Sequence, residues 1–152
     1  MQIPGDALRM DAAPLKEEFN RNTEMRDVML KYTQAYIAQV SQNVGCNRIH
    51  GVDERCARWL LEVRERTESD EFPLTHEFIA EMLGVRRAGV TEAALWLKER
   101  GLIDYTRGDI RIIDVPGLEA ASCECYMVLK EEYDRLLGVN LLRGEAEPGK
   151  AG

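Results

Sequence analysis

Two adjacent arginines, Arg86 and Arg87, follow Gly84 and open a run with helical spacing, "GVRRAGVTEAALWLKERGLI". A guanidinium presents a planar fork of donors that pairs bidentately with guanine or neutralises a phosphate. On the same run Ala88, Thr91 and Glu92 fall at outward positions. Thr91 suits a thymine methyl, a base edge or a phosphate, and Glu92 suits the cytosine amino group. Upstream, Thr75 stands where a helix would begin, so its hydroxyl and the amides beside it suit a phosphate. Downstream, Arg107 and Arg111 flank Gly108 and offer further phosphate contacts. Each residue alone has a plainer reading: a solvated surface arginine, a simple helix cap, a solvated glutamate. Their weight comes from co-occurrence at matching spacing.

Charge supports the same reading. The chain has 152 residues and a formal net charge of −7. The acid is unevenly spread. Residues 84–111 carry six basic and four acidic side chains and form the one net-positive block. Local charge of this kind serves a specific polyanion contact where the whole molecule would be weakly repelled.

Other chemistry is poorly supported. Cys46, Cys56, Cys123 and Cys125 are expected as reduced thiols. The pair Cys123-Glu124-Cys125 lacks the two-residue gap of common zinc knuckles. It also lies in a stretch that reads as helix, where side chains two apart diverge. Cys125 is therefore expected to pack as a small apolar residue, with no metal and no cofactor. His50 and His76 read as surface histidines. No nucleophile–base set or phosphate loop is apparent, so an enzyme is not expected. Neither a membrane-spanning run nor a signal peptide is apparent, and a cytoplasmic protein is expected.

The elements that must position these residues follow from periodicity. Residues 1–10 read as a strand end with a Pro4-Gly5 turn, and 14–20 as a short helix. Thr23 is expected to cap a helix to about Val44, with Gly45 ending or kinking it. Its apolar residues form two stripes. One holds Met25, Met29, Tyr32 and Tyr36, and the other Leu30, Ile37 and Val44. A helix apolar on two sides needs two partners, and a second copy of itself is the simplest second one, with Met25, Met29, Tyr32 and Tyr36 expected at the dimer contact. Val52 to Arg66 reads as the next helix, with Val52, Cys56, Trp59, Leu60 and Val63 inward. Glu54–Arg58 and Glu62–Arg66 are expected on its outer face. "TESDEFP" reads as a solvated connector.

Thr75 then caps a helix over His76 to Leu83, Gly84 makes a turn, and a second helix runs from Arg87 to Arg100. Val90, Ala93, Ala94 and Leu97 define its buried face. "LIDYTRGDIRIIDV" alternates around Gly108 and reads as a hairpin. A last helix begins at Pro116 and stops at Gly138, before a tail, 139–152, whose composition predicts disorder. Short helix, glycine turn, helix and wing make a winged helix-turn-helix. The fold expected is mainly α with a small β wing. Its blocks are 1–20, a dimerisation helix and hinge over 21–50, the winged domain over 51–115, the C-terminal helix over 116–138, and the tail.

The stretch "LTHEFIAEMLGVRRAGVTEAALWLKERGLIDYTRGDIRIID" resembles the DNA-binding domain of the Crp/Fnr transcription regulators, the cyclic-AMP receptor type, without a gap from Thr75 through Ile103. "CNRIHGVDERCARWLL" and "GLEAASCECY" resemble one branch of that family. The resemblance implies that the long helix is the dimer helix and that Arg87 occupies the guanine-reading position. The family's recognition helix carries glutamate directly after that arginine and another arginine four residues later. Here Ala88 and Glu92 stand there, so the family's usual half-site is not implied. Only "MQIPGDALRM" resembles the end of the family's β-roll sensor, and no response to cyclic nucleotide is expected. The chain is thus expected to be a homodimeric DNA-binding transcription regulator acting on a palindromic site of double-stranded DNA. The alternative is an interaction protein that heterodimerises with a full-length family member.

Overall fold

A computed structural model describes residues 8–106 and 108–138. In chain order the elements are α1 (Ala12–Arg21), α2 (Thr23–Ile49), α3 (Val52–Thr67), β1 (Glu71–Pro73), α4 (His76–Leu83), α5 (Arg87–Glu99), β2 (Ile103–Thr106), β3 (Asp109–Ile112), α6 (Val115–Ala121) and α7 (Cys125–Leu137). The fold is mainly α with one small antiparallel sheet, as expected from the sequence. No described helix is long and apolar enough to cross a membrane.

The main core gathers α3, α4, α5, α6 and the sheet. Leu60, Ile79, Val90, Leu97 and Leu118 are fully buried at its centre. Ala93 and Ala94, also buried, are small enough to let neighbouring elements approach the back of α5 closely. The turn between α4 and α5 is made by Gly84 at φ 64°, a left-handed conformation that costs a residue without Cβ little. Arg55 of α3 donates to the carbonyl of Leu83, which ties the end of α4 to the core.

Several local expectations are corrected. Residues 8–10 form no strand, and residues 1–7 and the tail 139–152 lie outside the described residues. Asn22, not Thr23, caps α2, its side chain accepting from the Met25 N–H at 3.0 Å. Gly45 neither ends nor caps α2, which continues to Ile49 and closes with His50. A single glycine weakens a helix by only about 1 kcal/mol, and the residue after it, Cys46, is buried with Cys123 and Cys125.

The expected outer face of α3 is covered. Arg58 is buried and bonds Glu62 at 2.7 Å and Asn43 of α2 at 2.9 Å. Glu54 does not pair with Arg58 but accepts from the Gly51 N–H at 2.8 Å, capping its own helix. Glu62–Arg66 does form, at 3.6 Å. The connector "TESDEFP" contributes β1, so the sheet has three strands in the order β1-β3-β2. Phe72, opposite Ile110, is the buried residue that draws it in. Finally, the C-terminal helix is two helices. α6 ends at Ala121, Ser122 is extended, and α7 restarts at Cys125.

Candidate nucleic-acid interface

The helix-turn-helix places one contiguous surface outward. Arg86 is the N-cap residue of α5 and Arg87 its first residue. Both are exposed, as are Ala88, Thr91, Glu92 and Leu95. The opposite side of α5, Val90, Ala93, Ala94 and Leu97, is fully inward. Periodicity therefore put each residue on its observed face. Arg87 Nε lies 3.8 Å from Glu77 Oε2, an exposed ion pair that a phosphate would readily replace.

Thr75 caps α4 by accepting from the Phe78 N–H at 3.2 Å. Its own O–H stays available to donate. Thr75 is exposed, and Glu77 in the same first turn pairs with Arg87. On the wing, Arg111 is exposed on β3 and lies 3.8 Å from Asp104. Asp104 also accepts from Lys98 Nζ at 2.8 Å, so one carboxylate links the end of α5 to the wing. The hydrogen bond from Lys98, then that from the Tyr105 N–H, hold Asp104 below the usual carboxylate range. Arg107 lies outside the described residues.

His76 is the residue that sequence reasoning misplaced here. It is buried, not on the surface, with its ring 4.3 Å from that of Tyr105. The Thr91 hydroxyl donates to the Arg87 carbonyl at 3.1 Å, so it accepts from His76 Nδ1, also at 3.1 Å. Burial, then the Arg87 charge, lowers the His76 pKa from its usual value. A neutral imidazole thus holds Thr91 from behind. Nothing local signals this, because His76 and Thr91 are fifteen residues apart and meet only by helix packing.

The long helix presents a second surface. Tyr32 and Tyr36 are exposed, while Met25 and Met29 are half-buried. Leu30, Ile37, Val40 and Val44 are all exposed. A third grouping stands at the α2–α3 junction. There Cys46, His50, Cys123 and Cys125 bring four metal-ligating side chains together. His50 is largely covered, contrary to the surface position expected of it.

Residues 54–121 match the family model of the Crp-like helix-turn-helix domain. These residues form a Crp-like winged helix-turn-helix domain. The chain is also similar to a protein from Eubacterium rectale assigned to the Crp/Fnr family of transcriptional regulators. The identity is 25% over 70% of this chain and 49% of that one, with a TM-score of 0.56. It shares its fold with CprK complexed with OCPA, at 18% identity over 74% of this chain and 55% of that one, with a TM-score of 0.54. The chain thus spans about half the length of the Eubacterium rectale regulator. A search of curated proteins returns no match. The Crp-like domain runs from the first turn of α3 to the end of α6 and includes every described residue of the candidate interface.

Proposed function

We propose that this chain is a sequence-specific DNA-binding transcription regulator that acts as a homodimer on a palindromic site. The observation that carries the reading is the outward N-terminal face of α5. It offers Arg86, Arg87, Ala88, Thr91 and Glu92 to solvent inside a Crp-like domain. A helix presented this way enters the major groove with its first turns against base edges. Arg87 reads guanine bidentately, and Arg86 takes a phosphate. The Thr91 hydroxyl is already engaged by His76 and the Arg87 carbonyl, so its methyl is the group left for a thymine. Glu92 accepts from cytosine. Thr75 and Arg111, with Arg107, hold the backbone on either side.

Dimerisation would use α2. Leu30, Ile37 and Val44 recur every seven residues, and Val40 fills the step between, which is the spacing of a two-helix seam. Met25, Met29, Tyr32 and Tyr36 flank it. Two copies would set their α5 helices about 34 Å apart, one turn of duplex. The same seam would accept the matching helix of a full-length family member. Co-purification with such a protein, with no DNA binding by the isolated homodimer, favours that second reading.

Selection from a random DNA pool, followed by binding across a salt titration, tests the first reading. A palindromic motif should emerge, and affinity should fall steeply with salt. Binding that ignores salt, or no enrichment at all, overturns it.

A further inference from the structure

The cysteines sit where sequence spacing alone gave no reason to join them. Cys46 and His50 are one helical turn apart at the C-terminal end of α2, the i,i+4 spacing that puts two ligands on one face. Cys123 and Cys125 come from the break between α6 and α7. Had 116–138 been one helix, those two side chains would diverge. The extended backbone at Ser122 and the restart at Cys125 bring both to the same side. The three sulfurs form a small buried cluster of their own, separate from the main apolar core. They are therefore not filling that core.

The distances have the form of a coordination shell. Cys46 Sγ lies 3.6 Å from Cys123 Sγ. His50 Nδ1 lies 3.4 Å from Cys46 Sγ and 3.5 Å from Cys125 Sγ. A tetrahedral zinc ion, with Zn–S about 2.3 Å and Zn–N about 2.0 Å, sets S···S edges of about 3.8 Å and S···N edges of about 3.5 Å. All four ligand atoms lie within 4.8 Å of one another, room for one ion and too close for a multi-iron cluster. A disulfide needs about 2.05 Å, so Cys46 and Cys123 stand at the wider spacing.

The surroundings supply what a metal-bound histidine and thiolate usually have. The other ring nitrogen, His50 Nε2, lies 3.2 Å from Glu124 Oε2, the residue between the two cysteines. A carboxylate there fixes the tautomer that leaves Nδ1 free to ligate. Gln42 Nε2 donates to Cys125 Sγ at 3.0 Å, which suits a sulfur carrying negative charge.

We propose that Cys46, His50, Cys123 and Cys125 form a Cys3His site for a single Zn²⁺ ion. Each thiol loses its proton to solvent as its sulfur lone pair joins the ion, and the histidine binds neutral. The site clips the end of α2 to the start of α7, beside the Gly51 junction that leads into the Crp-like domain. It therefore fixes the end of the long helix against the segment that follows α6. The inference does not depend on DNA binding, since every readout below uses the free protein.

The experiment takes the full chain, reduced and stripped of metal, and titrates it with Zn²⁺ and with Co²⁺. One equivalent of zinc should bind, and Tm should rise by about 5 to 10 °C at saturating metal. Cobalt should give the intense visible absorption of tetrahedral geometry together with thiolate-to-metal charge transfer. Cys123→Ser and Cys125→Ser should each weaken uptake severely while circular dichroism stays helical. Glu124→Gln should keep the stoichiometry and weaken affinity about 10–100-fold. If a cysteine variant fails to fold, the cobalt spectrum of the unsubstituted chain decides. Three results overturn the proposal: no uptake by the reduced chain, an octahedral cobalt spectrum without thiolate charge transfer, or uptake that a folded Cys123→Ser variant leaves unchanged. A Cys46–Cys123 disulfide that persists in place of metal would do the same.

Discussion

Helices α2 and α3 adjoin in sequence, yet they solve opposite problems. α3 buries ten of its 16 residues, including Arg55, Arg58, Glu62 and Glu65. α2 buries two of 27, Ala35 and Cys46. The first is enclosed by its own domain and by α2 and α7, so that charged side chains find partners inside, Arg58 on Asn43 of α2 and Glu65 on Tyr126 of α7. The second shows a row of aliphatic side chains to solvent. A domain with a core of its own carries its stability within the chain. A helix with most of its apolar surface outward has stability to gain from another chain. The contrast gives each surface a separate test.

The largest effect is expected where the seam is charged. Ile37→Asp with Val44→Asp should remove about 3 to 6 kcal/mol of association per protomer, from two aliphatic side chains lost on each side of the interface. Sedimentation should show monomer at concentrations where the unsubstituted chain is dimeric. A dimer that survives both changes would dissociate α2 from the role given to it. Next comes Leu60→Ala in α3, at a site fully buried in the main core. Urea unfolding should show a loss of about 2 to 5 kcal/mol, whereas Leu30→Ala on α2 should leave the monomer within about 0.5 kcal/mol.

Arg87→Ala follows, costing about 1–3 kcal/mol of discrimination at one base pair while binding to random DNA falls far less. A uniform loss across all sequences would instead make Arg87 a phosphate contact. Thr75→Ala should cost about 1 kcal/mol of stability through the lost cap and weaken DNA binding about equally across sequences, with the salt slope unchanged because no charge is removed. Unchanged DNA affinity would leave Thr75 a cap alone.

The smallest effect concerns pH. The His76 pKa is lowered in the folded chain, so at pH values between its folded and unfolded pKa the unfolded state holds more protons. The contribution is complete above the ordinary histidine pKa of about 6.5 and is lost as pH falls through the lower folded value. The urea midpoint should drop between pH 7.5 and 5.5, and His76→Gln should flatten that drop. An equal drop in the variant would assign it elsewhere.

Much of the local structure of the candidate interface was legible in the chain itself. Thr75 as cap, Gly84 as turn, the inward set Val90, Ala93, Ala94 and Leu97, and the outward arginines all follow from one helical period. The hairpin around Gly108 follows from strand alternation on either side of a glycine turn. What the same reasoning missed shares one trait. Phe72 recruited β1 from an acidic connector, because one buried aromatic outweighed the polar residues around it. Arg58 went inward, because α2 covers the face that i,i+4 charge pairing marks as solvated.

The sequence by itself therefore determined the local elements and which side of each is apolar, since side-chain period and backbone preference act within a few residues. Only the tertiary structure decided which distant residues meet. His76 found Thr91 across the turn of the Crp-like domain. Cys46 found Cys123 across a separation of 77 residues. Both meetings depend on how packed helices end and where one helix breaks. No periodicity encodes that, because it is settled by the burial of the whole core at once.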